Sequence, residues 1–137
     1  PIRLTSALWP HLLAQPDAAA MTVSSGLAFG PLASTPAYSA TKAAIHSWSM
    51  AMRHQLKDTS VQVIELAPPY VQTELLGEFQ ASDPNAMPLV EFIDEVMAIL
   101  TADPDVEEVI VERCKPLRFA AENGNRGQLF NMLATQH

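Results

Sequence analysis

The chain has 137 residues, 48% of them apolar, with 15 acidic and 8 basic side chains, a net charge of −7 and one cysteine. That length fits a single domain with its own core, and the acidic balance argues against a phosphate-gripping nucleic-acid binder or a protein of anionic membranes. No apolar run approaches the roughly 20 residues of a membrane span, and one cysteine with no signal-peptide layout at Pro1-Ile2-Arg3-Leu4 points to the cytoplasm.

The chain opens inside a helical pattern. Leu4, Leu8 and Leu12 recur every fourth residue, with Trp9 and Leu13 beside them. This predicts a helix over residues 1–15, either continued from upstream or starting at residue 2, with Pro10 kinking it. Residues 18–24 are small and apolar without alternation, which predicts a strand buried on both faces of a parallel sheet. Gly26, Gly30 and Pro31 make residues 25–35 a loop. Thr35 followed by Pro36 reads as a hydroxyl N-cap and a first-turn proline, opening a helix over 36–58. Residues 61–67 form a second strand, stopped by Pro68-Pro69. The stretch 74–87, with Gly77, Pro84 and Asn85, reads as irregular and mobile. An amphipathic helix is predicted over 88–100, with Leu89, Phe92, Ile93, Val96, Ile99 and Leu100 on one side. Val109-Ile110-Val111 is a third short strand, and a weakly specified helix lies near 128–134. Strands alternating with helices give an α/β piece of about three strands, most simply parallel.

The helix at 36–58 carries a polar row: Tyr38, Lys42, His46, Ser49 and Arg53 share one face. A second row, Ala40, Ala44, Ser47 and Ala51, is small enough for a close helix neighbour, and Ile45, Trp48, Met52 and Leu56 make a third row for the core. Tyr38 and Lys42 lie one turn apart near the helix start. A phenol titrates near 10 in water. A neighbouring ammonium and a helix N-terminus both favour its anion, so a tyrosine so placed can exchange a proton with a substrate oxygen. Ser24 and Ser25 end the preceding strand, where parallel sheets meet their ligands. Alone, the tyrosine–lysine pair is equally an ordinary surface tyrosine under a snorkelling lysine. The context sharpens it: a strand ending in serines, thirteen residues from Ser25 to Tyr38, then a helix and a strand ending in proline.

Val23-Ser24-Ser25-Gly26, Tyr38-Ser39-Ala40-Thr41-Lys42-Ala43-Ala44 and Pro68-Pro69-Tyr70-Val71-Gln72-Thr73 resemble the second half of a short-chain dehydrogenase/reductase. The resemblance is close over residues 1–75 and fades beyond. It implies the C-terminal part of a Rossmann-type doubly wound parallel sheet, a single partial domain over residues 1–137, and NAD- or NADP-dependent interconversion of an alcohol and a carbonyl. It makes Tyr38 the general acid/base, Lys42 its partner and a ligand of the nicotinamide ribose, and Ser25 the donor that orients the carbonyl. Pro68, Val71 and Thr73 match the segment that touches the nicotinamide end of the cofactor. Pro69 departs from the glycine usual at that position and removes one backbone donor. The family's glycine-rich phosphate loop and adenosine site correspond to sequence before Pro1, and the five glycines here make no dinucleotide fingerprint. The expectation is a catalytic half that binds no cofactor and turns over nothing on its own. The alternative is a non-catalytic, self-associating module derived from that fold. Either reading implies a homodimer or homotetramer through the helices at 1–15 and 36–58, and the enzyme reading a small alcohol or carbonyl as substrate.

Other signals carry less. His11, His46, His54 and His137 have no metal-ligand spacing with one another or with Cys114, so no metal is expected. Ser25 lacks the glycine two residues earlier that a hydrolase elbow needs. Asp103, Asp105, Glu107 and Glu108 read as a solvated face. Cys114, between Arg113 and Lys115, is either an ordinary thiol or one with a lowered pKa. Leu75, Leu76, Phe79 and Met87 are either an apolar lid or core.

Overall fold

The computed structural model describes residues 1–136. In chain order they form α1 (Ile2–Leu13), β1 (Ala18–Val23), α2 (Pro36–Leu56), β2 (Val61–Leu66), the short α3 (Glu78–Ala81), α4 (Leu89–Ala102), β3 (Glu108–Val109), the short α5 (Lys115–Arg118) and α6 (Arg126–Gln136). The three strands make one parallel sheet in the order β1-β2-β3, with Ala18 opposite Val61 and Glu65 opposite Glu108. This is the α/β architecture expected of a partial Rossmann-type sheet, with α2 and α4 as the connections between strands.

Side-chain alternation along β2 divides the molecule into two layers. Val61 and Val63 pack with Leu56, Met52, Trp9 and Leu12 of α1 and α2. Ile64 joins Phe92 and Val96 of α4 in the larger core, with Val109, Ile110, Val111 and Cys114. Trp9 and Trp48 stack between α1 and α2, their ring centroids 6.3 Å apart.

α1 forms where expected, with Pro10 inside it, and buries none of its residues. Several other sequence expectations need correcting. β1 is not buried on both faces: Ala19, Met21 and Val23 are exposed, because β1 pairs only with β2 among the described strands and the face those residues share is uncovered. Thr35 makes no side-chain cap. The start of α2 is held by Ser39, whose hydroxyl donates to Thr35 O and accepts the Leu32 N–H. The third strand is shorter than Val109-Ile110-Val111 suggests and begins at Glu108, with Ile110 and Val111 buried just past its end. Residues 74–87 contain α3 and are closed at the base by a parallel bridge between Val71 and Met87. Gly77, with φ of 112°, supplies the left-handed turn ahead of α3.

Candidate active site

The serine turn after β1 meets Pro68 after β2, and Lys42 reaches the same end of β1 through Val23 O; Val71 and Thr73 follow in the segment after β2. Ser25 lies two residues beyond β1 and is buried. Its Oγ accepts the Leu27 N–H at 3.1 Å, opening a tight helical turn over Gly26–Ala28. That bond uses the oxygen as acceptor and leaves the hydroxyl proton for another partner. The Gly26 N–H donates to Pro68 O at 2.9 Å, fastening the serine turn to the segment after β2.

The turn is also tightly covered at its glycines. A Cβ on Gly26 would lie 2.8 Å from Cδ1 of Leu117 and 3.0 Å from Sγ of Cys114, and one on Gly30 would lie 2.7 Å from Cδ2 of Leu117. So α5, more than 80 residues further along the chain, closes over the serine turn.

Tyr38 and Lys42 stand on the first turns of α2. The Lys42 ammonium donates to Val23 O at 3.0 Å and sits 5.5 Å from the centre of the Tyr38 ring. Partial burial holds the Lys42 pKa below the usual lysine range. Tyr38 is 38% exposed. Val71 is buried against Met87, and Thr73 is half-buried, its Oγ1 accepting the amide of Gln80 at 3.1 Å. Leu75, Leu76 and Phe79 are exposed, as a lid would be, whereas Met87 belongs to the core.

The polar row of α2 faces the sheet. Ser49 shares a 2.8 Å hydrogen bond with Thr22, Arg53 donates to Val63 O, and Lys42 reaches Val23 O. Sequence reasoning marked this row but missed its partner. Glu65, fully buried on β2, bonds Ser24 Oγ at 2.5 Å through Oε1 and His46 Nδ1 at 2.8 Å through Oε2. A carboxylate inside the strand Val-Gln-Val-Ile-Glu-Leu was the available signal, because a charged group in a buried strand needs dedicated partners. Glu108 lies beside Glu65 in register and is forked by Arg118, whose guanidinium also sits 4.9 Å from the Phe29 ring.

Ligand atoms of His46, Glu65 and Glu108 come within 4.8 Å of one another. Their carboxylates are engaged by Ser24, His46 and Arg118. No comparable group among the described residues includes His11, His54 or Cys114, and His137 lies outside those residues. Cys114 is fully buried, and that burial pushes its thiol up to about 12, against the opposing pull of Arg118. The lowered-pKa reading of this thiol is therefore wrong: flanking charges in the sequence do not offset desolvation in the core.

The family model for short chain dehydrogenases matches residues 1–84. The chain belongs to the short-chain dehydrogenase family. Over 75 residues it is 60% identical to the uncharacterized oxidoreductase DltE of Bacillus subtilis (strain 168), a stretch covering 55% of this chain and 30% of that protein. Over 104 residues it is 28% identical to the uncharacterized oxidoreductase MW2403 of Staphylococcus aureus (strain MW2), covering 74% of this chain and 45% of that protein. The matched part is thus less than half the length of either curated relative. Two solved short-chain dehydrogenases share the fold at 24% identity. One, from Burkholderia cenocepacia J2315 in complex with NADP, superposes with a TM-score of 0.75 over 93% of this chain and 53% of that one. The other, from Sphingobium yanoikuyae in complex with NADPH, gives 0.72 over 95% and 51%. No helix among the described residues is long and apolar enough to cross a membrane.

Proposed function

We propose that the protein carrying this chain is an NAD(P)-dependent oxidoreductase that interconverts a small alcohol and its carbonyl, with Tyr38 as general acid/base. The observation that carries the reading is the Lys42 ammonium, bonded to Val23 O one turn from Tyr38 and 5.5 Å from its ring. The nicotinamide cofactor, when bound, is the hydride donor or acceptor.

The residues present fit such a group. Lys42 spends one donor on Val23 O and keeps two for a ribose hydroxyl. Thr73 Oγ1 receives N–H groups from Gln80 and Leu75, so its own proton is available to a carboxamide oxygen. Tyr38 gives the hydroxyl proton to the carbonyl oxygen in reduction and takes it back in oxidation. Lys42 stabilises the phenolate left behind. Ser25, its oxygen held by the Leu27 N–H, donates to the same substrate oxygen and fixes its position. The exposed apolar side chains of Leu75, Leu76 and Phe79 suit an apolar substituent on the substrate. The open faces of α1 and β1 support self-association, which the non-catalytic reading would share.

Tyr38→Phe in the whole protein tests the assignment. The ring still packs, and turnover falls by about 10²–10⁴-fold as the proton donor disappears. Turnover within a few-fold of the unsubstituted protein refutes the role of Tyr38.

A further inference from the structure

We propose that Gln80 is a positioning residue that aims the hydroxyl proton of Thr73 at the nicotinamide carboxamide and ties that hydroxyl to the apolar lid. The inference rests on the cofactor reading above and adds a residue outside the motifs that suggested it. Gln80 lies on α3 and is 4% exposed, although its neighbours Glu78, Phe79 and Ala81 are all exposed. A carboxamide buried on so short a helix needs full satisfaction, and it has it. Nε2 donates to Val71 O at 2.7 Å and to Thr73 Oγ1 at 3.1 Å, while Oε1 accepts the Leu76 N–H at 3.0 Å.

These partners fix the orientation of the amide. Val71 O can only accept and the Leu76 N–H can only donate, so the reversed amide loses both bonds. The consequence falls on Thr73. Its Oγ1 receives two N–H groups, from Gln80 and from Leu75 at 3.4 Å. Neither can take the hydroxyl proton, and no acceptor among the described residues does. Gln80 therefore leaves the hydroxyl proton of Thr73 for an acceptor outside the chain. The same amide joins Val71 and Thr73 to Leu76, within the exposed run Leu75, Leu76 and Phe79. Movement of the lid at Leu76 is thereby felt at the hydroxyl of Thr73.

The test compares Gln80→Leu, Gln80→Asn and Thr73→Val in the whole protein that carries this chain. Affinity is measured for NADH and NADPH and, separately, for ADP-ribose and its 2′-phosphate, which lack the nicotinamide. Gln80→Leu and Thr73→Val each lose about five-fold or more in affinity for the dinucleotide, the worth of one hydrogen bond. Both keep ADP-ribose affinity within two-fold, and the double variant is no worse than either single one. Should Gln80→Leu fail to fold, Gln80→Asn, which withdraws the amide by one methylene, shows the same split. Amide exchange at Leu76 in the cofactor-free protein rises in both Gln80 variants and not in Thr73→Val. A loss in Thr73→Val without a loss in the Gln80 variants overturns the positioning role while leaving the cofactor reading standing. No loss in Thr73→Val overturns the cofactor contact itself. Equal loss of dinucleotide and ADP-ribose marks general destabilisation and overturns the proposal.

Discussion

Replacing Glu65 by alanine removes the one group that both Ser24 and His46 address behind the serine turn. Glu65 has no exposure, and Ser24 has almost none. Deleting the carboxylate leaves the Ser24 hydroxyl buried without its partner and strips His46 Nδ1 of its own. Orphaning a buried polar group costs about 1–3 kcal/mol, and the deletion strips the Ser24 hydroxyl and His46 Nδ1 of their partner together. The expected loss for Glu65→Ala is therefore about 2–5 kcal/mol. With an unfolding entropy near 2.1 cal/mol/K per residue, the melting midpoint falls by roughly 7–17 °C. Glu65→Gln keeps the shape. Its carbonyl accepts from Ser24 and its amide donates to the other tautomer of His46, so the cost is about 1 kcal/mol. Urea unfolding followed by circular dichroism, with calorimetry for the midpoint, measures both variants. A Glu65→Ala loss below about 1 kcal/mol, or a Glu65→Gln loss equal to it, refutes the reasoning: the first says the bonds are worth nothing, the second that only charge matters.

Three further outcomes are expected. Lys42→Ala cuts turnover and moves the rising limb of the pH–rate profile for alcohol oxidation upward, since the phenolate of Tyr38 loses its cation; an unchanged profile contradicts that role. In the intact protein the cation itself is lost at a lower pH than for an exposed lysine, because partial burial depresses the Lys42 pKa. The Cys114 thiol, raised to about 12 from 9.0, stays protonated in the fold where the unfolded chain would ionise, so its contribution to stability is lost as pH rises from about 9 toward 12; iodoacetamide at pH 8 labels it only after denaturation, and rapid native labelling contradicts its burial. The chain is not a free monomer at roughly tens of micromolar, since Leu4, Leu8, Met21 and Val23 present apolar surface; Leu8→Glu lowers the association, and a monomer by sedimentation counts against it.

Helical periodicity, small apolar runs and the punctuation of proline and hydroxyl residues located the described strands and long helices to within a few residues. These signals failed where the outcome depends on what lies across space. Ala18 to Val23 carries no mark of being uncovered on one face; small apolar residues suit a doubly buried strand as well as an open one. Thr35 and Ser39 both offer hydroxyls near the start of α2, and geometry gave the work to Ser39. Ser25, Tyr38 and Lys42 were singled out by the resemblance to short-chain dehydrogenases, since their spacing alone also suits an ordinary surface tyrosine and lysine. Glu65, His46 and Gln80 were not, since each finds its partners only after the strands align or a short loop closes.

The contact of Leu117 with Gly26 and Gly30 carries an evolutionary constraint. Both methyls of one leucine occupy space that side chains at 26 and 30 would need, so enlarging either glycine forces that leucine to shift. Among relatives, these three positions should drift together: a bulkier residue at 26 or 30 favours a smaller one at 117. Residue 117 lies outside the region where the family pattern is recognisable. Divergence in the tail is therefore policed by the serine turn, and chimeras that exchange tails between relatives should succeed best when the glycine pair and its leucine travel as a unit.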